Sequence, residues 1–213
     1  MIAAFKHRAL RPASTVAAAS LLAVAALAGC GGSARTATHA AKRFQWAGAV
    51  ANPPRPEQPI KLRNYDGRLV DLAGYRGKAV LVTFIYDHCP DTCPLIVSHL
   101  HTAQAELGPA ASRLRIIAVS ADPRGDTPRT VRAFLRRRQM LGRMDYLIGS
   151  RSRLEPVWRR WGILAKADPK NPSAVEHSAL IYGISGSGKV TTLYPANFKP
   201  SDIVHDVPRL AAQ

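Results

Sequence analysis

The sequence predicts an α/β domain with a central mixed β-sheet and flanking helices. Short apolar runs typical of buried strands alternate along the chain with segments that repeat apolar residues at helical spacing. A late hairpin and a terminal helix complete this order, so we expect antiparallel as well as parallel strands. The chain has 213 residues, of which 46% are hydrophobic, and three cysteines. This composition supports an ordinary apolar core and excludes a small disulfide-stapled scaffold.

The first predicted elements of the domain are a hairpin and a buried strand. Residues 60–72, IKLRNYDGRLVDL, contain Asp66-Gly67 between two alternating runs, which is typical of a hairpin turn. Residues 78–86, KAVLVTFIY, are almost all β-branched or apolar, which indicates a strand that is covered on both faces. The sequence therefore predicts a hairpin that precedes the main strand–helix units.

The later elements follow from capping residues and from a second set of apolar runs. Thr127 is suited to cap a helix that has Pro128 in its first turn, and Ser152 with Glu155 matches a capping box. The predicted elements are helices at 95–107, 127–139, 152–162 and 201–212, strands at 114–122 and 145–149, and a hairpin of 177–185 with 189–195. This order is that of a thioredoxin-like fold with an N-terminal hairpin added.

The N-terminus has the pattern of a lipoprotein signal peptide. Residues 1–29 contain three basic residues, no acidic residue and the apolar run TVAAASLLAVAALAG. The run ends in LAGC, which resembles the lipobox of bacterial lipoproteins, so we expect Cys30 to be lipidated and to become the new N-terminus. Residues 30–50 are then a flexible tether, and residues 51–213 form the domain. The protein should be exported and lipid-anchored to the outer face of the bacterial cytoplasmic membrane.

The chain is strongly basic, with a formal net charge of +16. Its basic residues cluster in FLRRRQ and VWRRWG, on predicted helices and without the interleaved aromatic residues of single-strand binders. Together with export, this pattern argues against a nucleic-acid partner. It fits a basic face near an anionic membrane or one that steers an acidic protein partner.

The stretch TFIYDHCPDTCPL carries the chemistry, because Cys89 and Cys93 follow a buried strand directly. We place both thiols at the start of the next helix, where free amide groups and the helix dipole lower thiol pKa values. Thioredoxin-type oxidoreductases have two residues between their cysteines, whereas this chain has three. Two such thiolates either oxidise to a disulfide or bind a soft metal, and two sulfurs suit copper(I) better than zinc.

A third ligand would have to come from a histidine. His88 adjoins Cys89, but side chains of adjacent residues point apart. His177 begins a predicted strand after the long loop 165–176, and from there it could reach the end of a neighbouring strand. Spacing alone still favours an ordinary strand-end histidine over a metal ligand.

Four stretches of the chain resemble the Sco/SenC family of thioredoxin-fold copper proteins. They are CPDTCP, VSADPRGDTP, WRRWGI and EHSALIYGISGSGKV, in the family's order within residues 50–212. The resemblance implies that Cys89, Cys93 and His177 are copper ligands and that Asp122 is an acidic residue near the site. Asp87 departs from the family pattern, which more often has a small or hydroxyl residue at this position.

The resemblance also implies a function in assembling the copper centre of cytochrome c oxidase. We expect a membrane-tethered metallochaperone that binds copper(I) or copper(II) and passes it to the copper-bearing oxidase subunit, with other copper chaperones as further partners. The alternative is a thiol–disulfide oxidoreductase, in which Cys89 and Cys93 reduce the acceptor's cysteines and His177 is incidental. Binding protein and enzyme both remain open at this point.

Overall fold

The structure is a computed structural model that describes residues 44–163, 166–167, 175–176 and 179–213. The predicted signal peptide at 1–29, Cys30 and His177 lie outside the described residues. Across the part that is described, none of the helices combines the length and the apolar character that a membrane span requires.

The described strands form one eight-stranded mixed sheet and one separate two-stranded pair. The strands are β1 Ala49–Pro56, β2 Lys61–Asn64, β3 Leu69–Asp71, β4 Ala79–Ile85, β5 Leu114–Ser120, β6 Asp145–Ile148, β7 Lys166–Ala167, β8 Val175–Glu176, β9 Leu180–Ile184 and β10 Lys189–Pro195. The α-helices are α1 Thr92–Glu106, α2 Pro128–Arg137, α3 Arg151–Trp161 and α4 Pro200–Ala211. The strand order of the large sheet is β1-β10-β9-β4-β5-β6-β2-β3, and β7 pairs with β8.

Parallel pairing is confined to the centre of the large sheet. Strand β5 pairs in parallel with both β4 and β6, whereas β9, β10, β1, β2 and β3 join by antiparallel pairing. The predicted mixed sheet is therefore confirmed. Because the three central strands run in one direction, the segments that follow β4 and β5 leave the sheet at the same edge.

Alternation along β4 distributes the core over both faces of the sheet. Leu81 and Ile85 belong to the cluster that also takes the buried side chains of α1, α2 and α4. Val82 and Phe84 belong to the cluster on the other face, where α3 contributes Trp158 and other buried side chains. All seven residues of β4 are buried, as expected for a central strand with helices on both faces.

The predicted N-terminal hairpin is present as β2 and β3. Leu62 pairs with Val70, and Gly67 in the turn has a φ of +90°. Glycine is suited to this turn because it adopts positive φ without a Cβ clash. Strand β2 also pairs with β6, so the hairpin extends the parallel part of the sheet at one edge.

Strand β1 was not predicted, because its prolines suggested the end of a tether. The strand pairs antiparallel with β10, and the pairing register shifts between Val50 and Arg55. Proline is tolerated in an edge strand, because the backbone positions that face solvent do not have to donate hydrogen bonds to a neighbouring strand. Just before β1, the amides of Ala47 and Gly48 donate to the carboxylate of the buried Asp206, each at 3.0 Å. The described residues 44–50 thus contact the domain.

A side-chain cap explains where the basic helix α2 begins, but α3 has no such cap. The hydroxyl of Thr127 accepts a hydrogen bond from the Thr130 amide at 3.2 Å, so the predicted cap of α2 is confirmed. The predicted capping box at Ser152 is wrong, because Ser150 is the N-cap residue of α3 and Ser152 lies inside the helix. The two serine hydroxyls lie 2.9 Å apart and bond to each other instead.

Candidate functional site

The two domain cysteines lie where β4 passes into α1. Strand β4 ends at Ile85, Cys89 lies in the turn that follows, and Cys93 is the second residue of α1. Asp91 begins the helix, since its Oδ1 accepts the Thr92 amide at 2.5 Å. The predicted strand-to-helix location is correct, but Cys89 precedes the helix rather than lying in its first turn.

The turn nevertheless brings the two cysteines together. The backbone N–H of Cys93 donates to Sγ of Cys89 at 3.3 Å, and both residues are buried thiols rather than halves of a disulfide. An amide at a helix N-terminus has no carbonyl partner within its own helix. The Cys89 sulfur therefore occupies the acceptor position at the positive end of α1.

This arrangement separates the pKa values of the two thiols. The hydrogen bond from the Cys93 side chain, with the backbone hydrogen bond from Cys93, lowers the pKa of Cys89 to about 5 against the effect of burial. The same contact and burial raise the pKa of Cys93 far above that of an ordinary thiol. Near neutral pH the pair therefore holds one thiolate, on Cys89, and one proton, on Cys93.

Asp126 connects the cysteine turn to the loop after β5. Its Oδ1 accepts the Asp87 amide at 2.9 Å, and its Oδ2 accepts the Tyr146 hydroxyl at 2.9 Å. That hydroxyl also lies 3.2 Å from the carbonyl oxygen of Ile85, at the end of β4. Asp126 is 5% exposed, and burial raises its pKa to about 7. These bonds join β4, the cysteine turn, the β5–α2 loop and β6.

His88 connects the same two loops on the solvent side. Its Nδ1 lies 2.9 Å from Oδ1 of Asp87, and its Nε2 lies 3.3 Å from Oδ2 of Asp122. Burial opposes protonation of the ring, but the Asp87 hydrogen bond and the nearby carboxylate charges outweigh it and raise the pKa of His88. Gly125 allows this approach, because a Cβ there would stand 2.3 Å from the ring carbon Cε1.

Three of the predicted site residues, Cys89, Cys93 and Asp122, lie within the described part of the chain. Cys89 and Cys93 contact each other, and Asp122 reaches the cysteine turn through His88. His177 and Cys30 lie outside the described residues. Strand β9 begins at Leu180, and the carbonyl of Leu180 accepts the hydroxyl of Thr83 in β4 at 3.1 Å. The start of β9 therefore lies at the sheet edge where β4 ends.

Asp126, Tyr146 and His88 were not predicted as site residues. Asp126 has a local signal, since it is the second aspartate of DPRGDTP and directly precedes the helix-capping Thr127. Tyr146 has none, because it reads as an ordinary apolar position of a short strand. His88 was set aside because it adjoins Cys89, yet its neighbour Asp87 and the distant Asp122 both bond to its ring.

Comparison with known sequences gives a consistent result over nearly the whole described domain. The family model described as SCO1/SenC matches residues 49–212. The chain is similar to the SCO1 protein homolog of Bacillus subtilis (strain 168), with 29% identity over 154 residues. That match covers 70% of this chain and 80% of the Bacillus protein.

Solved structures show the same likeness. ScoI of Bradyrhizobium japonicum, solved with copper bound, is 26% identical with a TM-score of 0.64, over 72% of this chain and 98% of that one. BsSco is 27% identical with a TM-score of 0.63, over 75% of this chain and 95% of that one. Its structural study identifies a disulfide switch in a member of the Sco family of cytochrome c oxidase assembly proteins. The predicted thioredoxin-like fold is confirmed.

Proposed function

The chain belongs to the SCO1/SenC family, and from this premise we propose that it binds copper as cargo and delivers it to a thiol-bearing acceptor. The observation that carries the proposal is the contact between Cys89 and Cys93 at the start of α1. Two sulfurs side by side in a buried turn suit copper(I), which favours thiolate ligands and accepts low coordination numbers. The thiolate on Cys89 is ready to bind, and a metal would displace the proton of Cys93.

His177 is proposed as the third ligand. It precedes Leu180 by three residues, a distance that an extended chain spans in about 11 Å at most. Leu180 in turn bonds to Thr83 near the end of β4, four residues before the cysteine turn begins at Asp87. This position supports an imidazole ligand that completes a Cys₂His set with Cys89 and Cys93. Asp122 would act on the set from outside, through His88.

We propose the copper-bearing subunit of cytochrome c oxidase as the acceptor, and other copper chaperones as donors. Copper would pass between sulfur ligands by exchange, one thiolate replacing another without a change in the metal's charge. Oxidation of the Cys89 thiolate and the Cys93 thiol to a disulfide removes two electrons and the one proton that Cys93 holds, and it abolishes both sulfur ligands. Copper loading would therefore depend on the redox state of the pair, in keeping with the disulfide switch described for BsSco.

The membrane location is proposed from the N-terminal sequence. Residues 1–29 would be the signal peptide, Cys30 the lipidated N-terminus and 51–213 the functional domain. The tether predicted at 30–50 would be shortened to the residues before 44, because residues 44–50 contact the domain. This arrangement would hold the copper site outside the cytosol but close to the membrane that contains the acceptor.

An anaerobic copper(I) titration tests the proposed site. The full chain carrying Cys30→Ser, with its thiols reduced, should bind one copper per chain in competition with a copper(I) chelator. Cys89→Ser and Cys93→Ser should each abolish this binding, and His177→Ala should weaken it at least tenfold. His101→Ala is the matched control, since His101 lies on α1 beyond the cysteine turn, and it should bind as the parent chain does.

The same variants separate copper delivery from thiol–disulfide exchange. If the chain were an oxidoreductase, His177→Ala would leave its rate of reducing a disulfide substrate unchanged, and copper would bind weakly in every variant. Copper binding that is indifferent to His177 would overturn the Cys₂His proposal.

A further inference from the structure

We propose that Asp87, His88 and Asp126 form a second metal site, for a divalent first-row ion. The site is separate from the cysteine pair and uses only nitrogen and oxygen ligands. The inference does not rest on copper binding by Cys89 and Cys93, because none of its ligands is a sulfur. It concerns residues on two loops, the cysteine turn and the loop between β5 and α2.

The first observation is the spacing of the ligand atoms. One ligand atom from each of Asp87, His88 and Asp126 lies within 4.8 Å of the others. The Asp87 carboxylate and the His88 ring are only 2.9 Å apart. Two ligands that bind one tetrahedral zinc ion at about 2.1 Å are separated by roughly 3.4 Å. The pair is therefore about 0.5 Å closer than two ligands of one tetrahedral ion, so an ion could replace the shared proton after a small separation of the two groups. The Asp126 carboxylate, within 4.8 Å of both, would complete the set.

The second observation is a buried carboxylate oxygen without a partner. Within the described part of the chain, Oδ2 of Asp87 is buried and accepts no hydrogen bond, and only 6% of the side chain is exposed. Leaving a buried charged oxygen unsatisfied is costly, so native structures normally give it a donor or a cation. The backbone amide of Asp87 cannot serve as the donor to this oxygen, because it donates to the Asp126 carboxylate. A bound cation supplies the missing partner.

The third observation is the orientation of the His88 ring. Its Nε2 lies 3.3 Å from the Asp122 carboxylate, which accepts the N–H there. The ring nitrogen that faces Asp87 is Nδ1, which donates to that carboxylate when no ion is bound and would offer its lone pair once an ion displaces the proton. Histidines that bind metals usually donate their other N–H to a carboxylate in this way, which fixes the tautomer and the ring plane. Gly125 packs against the ring, and a Cβ at this position would clash with the ring in its present orientation.

The donor set selects the class of ion. One imidazole and two carboxylates suit Zn²⁺ or Mn²⁺ and lack the sulfur that copper(I) prefers. The ion can enter from solvent, since His88 is exposed although both carboxylates are buried. By linking residues 87 and 88 to residue 126, it would hold the cysteine turn against the β5–α2 loop.

Zinc titration by calorimetry tests the site on a chain that cannot use its cysteines. The background is the full chain with Cys30→Ser, Cys89→Ser, Cys93→Ser and His177→Ala, at slightly alkaline pH. It should bind one Zn²⁺ per chain, and adding Asp87→Asn, His88→Ala or Asp126→Asn should each weaken the binding at least tenfold.

Asp66→Asn is the matched control. Asp66 lies in the β2–β3 turn, where Asn-Gly forms the same turn as Asp-Gly, and zinc binding should not change. If Asp126→Asn lowers the melting temperature too far, His88→Ala still decides the question, because its ring is partly in solvent. In the chain that keeps both cysteines, the His88→Ala variant should bind one zinc ion fewer than the same chain with His88. Absence of zinc binding, or binding that none of the three variants weakens, overturns the proposal.

Discussion

The pKa of Cys89 is low because of Cys93, four positions later in the chain. The Cys93 amide and side chain both contact the Cys89 sulfur, and they stabilise the thiolate more than burial destabilises it. A cysteine in an ordinary loop has a pKa near 8.5. The difference arises from local geometry at the start of a helix and needs no neighbouring cation.

We therefore predict that alkylation of Cys89 by iodoacetamide in the copper-free chain has a midpoint near pH 5. Cys93→Ala removes the largest favourable contact and should move the midpoint toward that of an ordinary thiol. Mass spectrometry at a series of pH values measures the alkylated fraction at each cysteine. A midpoint near pH 8 in the parent chain would contradict this account of the site.

Asp126 should make the folded domain less stable as pH rises, because burial raises the pKa of its carboxyl group. Its pKa is about 7 in the folded chain and about 3.9 in an unfolded one, so between these values the folded state holds an extra proton. The contribution of Asp126 to stability is therefore fully present below about pH 4 and is lost as pH rises to about 7, a loss of up to about 4 kcal/mol. Asp126→Asn should lack this fall. Urea unfolding of both proteins across this range gives the difference, and a difference that stays constant with pH would refute it.

Sequence alone identifies the cysteine pair but not the residues that set its surroundings. Cys89 and Cys93 carry a recognisable spacing, whereas Asp126 and His88 act through contacts between two loops. Those contacts depend on the order of β4 and β5 in the sheet, which a single sequence does not reveal.

Among the elements, β1 shows most clearly what a local pattern cannot predict. Its prolines disfavour a strand, yet β10 offers an edge that accepts them. The buried Asp206 of α4 binds the amides of Ala47 and Gly48 and the hydroxyl of Tyr194. The hairpin β2–β3 was predictable because Asp66-Gly67 specifies its own turn, whereas β1 depends on partners about 140 residues away in the sequence.

Asp206→Ala should therefore destabilise the domain strongly. Asp206 is fully buried, and its removal would take a partner from the amides of Ala47 and Gly48, the Tyr194 hydroxyl and the His205 ring. We expect a cost of about 3 kcal/mol or more. Urea unfolding measures the loss. Asp66→Asn serves as the control and should stay within about 0.5 kcal/mol of the parent chain. A loss of similar size in both variants would refute a special role for Asp206.

At the scale of the whole molecule, the order of the elements along the chain was predictable because strands and helices alternate clearly in the sequence. Buried strands, capped helices and a final hairpin all appeared in the predicted order. The strand order and the pairing of β1 depend on long-range packing, which local patterns do not encode. The formal net charge of +16 includes the three basic residues of the proposed signal peptide, so the mature chain would carry +13. Anionic lipid beside the proposed anchor would attract such a chain.

The proposed anchor has a direct chemical readout. Mass spectrometry of the chain extracted from the producing membrane should show an N-terminus at Cys30 that carries the mass of attached acyl groups. A mature chain that begins elsewhere, or one with an unmodified Cys30, would contradict the lipoprotein assignment. The copper site would not be affected by that result, since its residues begin at Cys89.

X-ray absorption at the copper edge tests the central claim most directly, on the reduced full chain carrying Cys30→Ser and loaded with one equivalent of copper(I). The account predicts two sulfur ligands from Cys89 and Cys93 and one imidazole nitrogen. The nitrogen should disappear in His177→Ala and persist in the control His101→Ala. A copper environment without sulfur, or one that His177→Ala leaves unchanged, would contradict the proposed site.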